Sequence, residues 1–106
     1  MEHHEAMFMI CLNRANKATA MYQVSTGGIA GTVADPKMLF QCALLTNASG
    51  IILAHNHPSG ALVASQSDIT LTKRVKEAAK LLEMQLLDHV IMTAEGYLSM
   101  ADEGLI

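Results

Sequence analysis

Hydrophobic positions along the chain fall into short runs with two different periods. Residues 6–12 (Ala-Met-Phe-Met-Ile-Cys-Leu) are an unbroken apolar stretch and predict a buried strand. The polar, turn-like Asn13-Arg14-Ala15-Asn16-Lys17 follows. Residues 18–25, with Met21, Tyr22 and Val24, predict a second strand that makes a hairpin with the first. Gly27-Gly28 breaks that strand, Gly31 lies just beyond, and Ile29 to Val33 predicts a short third strand. Asp35-Pro36 is a helix start, an acceptor side chain followed by the residue that lacks an N–H where the first turn needs none. This helix should run to about Asn47, bury Leu39, Cys42 and Leu45, and leave Gly50 past its end. Gly50 to Ala54 then reads as a fully buried strand, apolar on both faces. Helical periodicity is strongest over 66–83, where Leu71, Val75, Ala78, Ala79 and Leu82 make one core-facing stripe. Residues 85–93 predict another strand, Ala94-Glu95-Gly96 a turn, and Tyr97 to Met100 a last strand. The order β-β-β-α-β-α-β-β is that of an α/β protein with two helices against a mixed sheet.

At 106 residues the chain fits a single domain, residues 1–106. Half of it is hydrophobic and only 16% charged, which excludes a disordered chain. The mean hydropathy of +0.27 is high, yet the longest apolar runs are far short of the roughly 18 residues a membrane span needs. No basic stretch leads into an apolar one as in a secretory signal. Cys11 and Cys42 are too few for a disulfide framework and read as buried thiols in reducing surroundings, so a cytoplasmic location is expected. A net charge of −3 argues against nucleic-acid binding, which rests on neutralising phosphates. Lys73, Arg74, Lys76 and Lys80 read instead as the solvated face of a helix. With 4% aromatic residues and no Trp, a stacking platform for single-stranded bases is not expected either.

The chemistry is concentrated in His55-Asn56-His57-Pro58-Ser59-Gly60 and Ser65-Gln66-Ser67-Asp68. The buried strand leads into His55, so the segment emerges at a carboxyl edge of the sheet, where ligands bind in α/β folds. Pro58 biases His57 toward an extended backbone. Residues i and i+2 of an extended chain share a side, so His55 and His57 can aim at one point while Asn56 faces away. Asp68, in the first turn of the next helix, can return a carboxylate to that point. Two imidazoles and a carboxylate are the protein ligands of a catalytic zinc site, with a fourth position left for water. The spacing alone does not settle the matter, since scrambled chains of this composition produce it about once in a hundred. Ser65 and Asp68 also match a capping box, a purely structural arrangement that does not exclude a metal role.

These residues resemble the JAMM motif of JAB/MPN-type metallopeptidases, and the run from His55 to Gly60 resembles the RadC-like bacterial branch in particular. Leu86-Leu87-Asp88-His89-Val90-Ile91 also looks like that branch. The resemblance implies a cytidine deaminase-like α/β domain in which His55, His57 and Asp68 bind Zn2+. Ser65 would then help stabilise the oxyanion of a tetrahedral intermediate. Glu5, leading the first strand, corresponds to the family's general base; Glu2 is its rival but lies off the apolar run. The implied activity is zinc-dependent hydrolysis of peptide or isopeptide bonds in a peptide or protein substrate.

Two departures stand out. Ala61-Leu62-Val63-Ala64 is more apolar than usual, with Ala64 in place of a frequent proline. Family members usually carry an upstream helical region, whereas four residues precede Glu5 here. The chain therefore reads as an excised or naturally short catalytic domain whose uncovered apolar surface would favour a homo-oligomer. The alternatives are a catalytically silent MPN-type binding module, or the DNA-repair role that the branch's name suggests, which the acidic charge does not support. Asp88 and His89 point to opposite faces of a strand, so His89 reads as structural, or as support to a metal ligand.

Overall fold

The computed structural model describes residues 5–26 and 35–106. In chain order its elements are β1 (Ala6–Leu12), β2 (Ala18–Thr26), α1 (Pro36–Leu45), β3 (Gly50–Asn56), α2 (Gln66–Leu81), β4 (Gln85–Thr93) and β5 (Gly96–Ser99). The strand expected over residues 29–33 lies outside the described residues. The five strands make one mixed sheet in the order β2-β1-β3-β4-β5, in which only β3 and β4 run parallel. Helix α2 is the crossover between those two strands, as a parallel pair requires.

Burial alternates along the central strands. Met7, Met9 and Cys11 of β1 and Ile51, Leu53 and His55 of β3 are buried, while Phe8, Ile10, Ile52 and Ala54 between them are only half-buried. Strand β3 is therefore covered fully on one face, not on both. The covered face meets Leu39, Phe40 and Ala43 of α1 and Val75 and Ala79 of α2 in one core. Cys11 is buried and Cys42 half-buried, and both are free thiols. No helix among the described residues is long and apolar enough to cross a membrane.

Helix α1 starts as expected, with the Asp35 carboxylate accepting the Lys37 N–H at 3.0 Å and Pro36 next to it. Its buried stripe differs from the expected one. Leu39 is buried, Cys42 is half-buried, and Leu45 is 83% exposed. Spacing by threes falls short of a full turn, and at about 100° per residue Leu45 lies roughly opposite the centre of the Leu39–Phe40–Ala43 stripe. The helix also stops earlier, because Asn47 takes a left-handed conformation (φ 53°). Helix α2 likewise ends before Leu82, which is partly exposed as its C-cap, and Glu83 (φ 58°) turns the chain toward β4.

Candidate metal centre

The site forms where β1 begins and β3 ends. In the antiparallel register Met7 faces His55. Two residues outward on each chain, Glu5 and His57 therefore share the face on which His55 lies. Asn56 points to the other face, where its Oδ1 accepts the Ala6 N–H at 2.6 Å and ties down the chain next to Glu5. The His57 N–H donates to the Met92 carbonyl at 2.9 Å and prolongs the β3–β4 pairing past the last paired residue.

Beyond His57 the chain turns sharply. The Gly60 N–H donates to the His57 carbonyl at 3.0 Å, and Gly60 has a φ of 84°, a conformation that favours glycine. This turn brings the Ala61 carbonyl to 3.0 Å from His57 Nδ1. A carbonyl only accepts, so Nδ1 carries the hydrogen and Nε2 offers its lone pair. At the start of α2 the capping box is complete. The Asp68 N–H donates to Ser65 Oγ at 3.0 Å, and the Ser65 N–H donates to Asp68 Oδ2 at 2.9 Å. The cap does not use up the carboxylate, which faces both rings.

His55 Nε2 and His57 Nε2 lie 2.8 Å apart. Asp68 Oδ1 is 3.3 Å from the first and Asp68 Oδ2 3.3 Å from the second. Ligands at zinc–ligand distances on a tetrahedron are separated by about 3.3 Å, so this trio fits the corners around one small divalent ion. Glu5 Oε1 lies farther out, 3.9 Å from His57 Nε2. Glu5 and the two histidines can also be grouped as a metal-binding trio, with all ligand atoms within 4.8 Å of one another. The Asp68 carboxylate is the better third ligand, because it is close to both rings and less exposed than Glu5, 13% against 28%. Glu5 is the more exposed of the two carboxylates at the site. Ser65 is exposed, its Oγ accepts from the cap, and Ser67 Oγ lies 3.5 Å from it.

Burial alone would raise the Asp68 carboxyl. The neighbouring His55 ring and the capping bonds of Ser65 outweigh it and hold the group well below the usual carboxylate range. It is a carboxylate at any physiological pH, as a metal ligand must be.

Two further residues reach the site from behind. His89 of β4 is completely buried, with Nε2 2.7 Å from His55 Nδ1 and Nδ1 2.6 Å from Thr72 Oγ1. His89 thus touches the ring of His55, one of the candidate ligands. Thr72 escaped the sequence reading, although its place one turn after Asp68 put it on the same side of the helix. Burial, then the His55 charge, lowers the His89 pKa to about 4, against partial opposition from Asp68 and Asp88. Asp88 faces the other way and organises the end of the sheet, accepting from Ser99 Oγ at 2.5 Å and from the Ala101 N–H at 3.0 Å.

A family model described as "RadC-like JAB domain" matches residues 1–105. Among curated proteins the chain is similar to one from Flavobacterium johnsoniae (45% identical over 96% of this chain) and one from Porphyromonas gingivalis (47% over 96%). Another similar protein, from Pseudomonas syringae pv. tomato, is 40% identical over 99% of this chain. All three carry the name UPF0758 protein, and the chain spans 44, 45 and 47% of their respective lengths. With its mixed α/β sheet and near full-length match, the chain belongs to the RadC-like JAB domain family.

Proposed function

We propose that this domain is a zinc-dependent hydrolase of peptide or isopeptide bonds. One observation carries the reading: two ring nitrogens and one ionised carboxylate meet within 3.3 Å of each other, with a second, more exposed carboxylate 3.9 Å from one of the rings. His55, His57 and Asp68 hold the ion. When bound, it supplies Lewis acidity that polarises a carbonyl and makes a water acidic near neutral pH.

The chain's own residues do the rest. Glu5 takes a proton from the attacking water and delivers it to the leaving nitrogen, so that the amine departs neutral. The Ser65 hydroxyl donates to the carbonyl oxygen as that oxygen gains charge. Capping holds this hydroxyl at a fixed place on α2, next to the carboxylate it accompanies.

The test is direct. Protein stripped with a chelator and reloaded with zinc is analysed for metal content, then offered peptides and lysine-linked isopeptides. One equivalent of zinc, together with cleavage that disappears in the stripped protein and in Glu5→Gln, supports the reading. Failure of the wild-type chain to take up zinc would overturn it.

A further inference from the structure

The pair His55 Nδ1 and His89 Nε2, taken by itself, leaves open which ring donates. The answer decides whether His55 can bind an ion at all. If His55 carries its hydrogen on Nδ1, its Nε2 lone pair faces His57 and Asp68. If the hydrogen sits on Nε2, it occupies the place an ion would take.

Thr72 resolves the choice. Its hydroxyl hydrogen is directed to the Asp68 backbone carbonyl at 2.7 Å, and a hydroxyl has only one hydrogen to give. Toward His89 Nδ1, at 2.6 Å, Thr72 Oγ1 must therefore accept. A neutral imidazole has one N–H, so with Nδ1 donating, His89 Nε2 has a lone pair and accepts from His55 Nδ1 at 2.7 Å. Every link is short, and Thr72, His89 and His55 are each at most 1% exposed, so water does not compete. The chain of donors begins at one ring of the site and ends on the backbone of Asp68, the residue that supplies the site's carboxylate.

We infer that Thr72 and His89 are positioning residues that hold His55 in the form with hydrogen on Nδ1, so that Nε2 is presented to the ion. The inference rests on the metal-binding reading above. It also ties the two outer walls of the site together, because β3 carries His55 and α2 carries Asp68. Losing the Thr72 hydroxyl removes the acceptor for His89 Nδ1–H. His89 then moves its hydrogen to Nε2, donates to His55 Nδ1, and drives the His55 hydrogen to Nε2, where it opposes the ion.

The experiment measures zinc affinity by competition with a chromophoric chelator for the full chain and for Thr72→Val, Thr72→Ser, His89→Leu and His89→Gln. Each protein is also unfolded in urea while metal-free, so that a lost fold is not read as lost affinity. Thr72→Val keeps the shape and loses the hydroxyl, and a roughly 10- to 100-fold weakening is expected. Thr72→Ser keeps the hydroxyl and restores affinity. His89→Leu weakens binding to a similar degree, while the glutamine of His89→Gln can accept from His55 and donate to Thr72 and retains most of it. Nitrogen NMR of the zinc-loaded wild type should show the His55 hydrogen on Nδ1. Wild-type affinity in folded Thr72→Val and His89→Leu, or a hydrogen on His55 Nε2, overturns the inference while leaving the metal site standing. No zinc uptake by the wild type overturns the metal-binding reading, and this inference falls with it.

Discussion

Lowering the pH should destabilise the metal-free domain through one buried histidine. His89 has no exposed surface, and burial, aided by the His55 charge, moves its pKa from 6.5 down to about 4. In the unfolded chain the ring recovers its ordinary value. Between the two values the unfolded chain takes up a proton that the folded one refuses, so stability falls as pH falls. Stability is complete above the unfolded value, drops through the interval, and levels off below the folded value. A gap of one pH unit between the folded and unfolded values corresponds to about 1.4 kcal/mol. From about pH 8 to about pH 5, most of the interval is crossed and the loss is about 2 kcal/mol.

The assay is urea denaturation at a series of pH values with a chelator present, for the wild type and His89→Gln. The difference between the two curves isolates the contribution of His89. The wild type should lose about 2 kcal/mol more than the variant over that range. Parallel curves, or a His89 ring signal that titrates near 6.5 in the folded state, would refute the reasoning.

Asp68 acts in the same sense at lower pH: its depressed carboxyl contributes stability above the ordinary value of 3.8, and this stability is lost as pH drops below it, visible as a second fall when the urea series is extended to acid. Asp68→Asn should keep α2 capped, because the amide oxygen can still accept from Ser65, with about 1 kcal/mol or less lost in urea; the chelator competition should show most of the zinc affinity gone. Glu5→Gln should take up zinc as the wild type does and slow the cleavage of any active substrate roughly 100- to 10,000-fold, read from steady-state rates. A Cβ at Gly60 meets no atom within 4 Å, so Gly60→Ala costs only backbone strain, about 1 to 2 kcal/mol in urea. It should also weaken zinc binding by displacing the Ala61 carbonyl from His57. Leu53→Ala, at a fully buried position of β3, should cost about 2 to 5 kcal/mol in the same measurement.

Features set by neighbours in sequence were legible without a structure. Asp35-Pro36 starts a helix because its two residues answer the needs of the first turn. Ser65 and Asp68 cap α2 because they sit three residues apart, and His55 and His57 share a side because an extended chain alternates. Their convergence with Asp68, read from the spacing as a way to hold an ion, appears as distances of 2.8 and 3.3 Å. Features that depend on how distant segments meet were not legible. The register that sets Met7 against His55 also brings Glu5 toward His57, and nothing local announces it. The misjudged stripe on α1 has a similar origin, because which of Leu39, Phe40, Cys42 and Leu45 faces inward depends on where β1 and α2 lie.

His89 shows most clearly why a period-two reading fails at this site. Leu86 is buried, so strict alternation along β4 would bury Asp88 and turn His89 outward. The pairing with β3 contains an irregularity instead. Ile51 is opposite Leu86 but Ile52 is opposite Asp88, so Leu87 has no partner of its own. This extra residue reverses the phase of everything after it. His89 and Ile91 consequently face the core, while Asp88 faces the other way to hold Ser99 and Ala101. Gly50 leaves room for the bulge, since a Cβ there would lie 3.2 Å from Leu87 Cδ1. Were Leu87 paired with Ile52 in regular register, Asp88 instead of His89 would stand opposite Leu53 and a carboxylate would take the core face. The donor chain from His55 to Asp68 therefore depends on one unpaired leucine and one glycine, the glycine about 16 Å of strand away from His55.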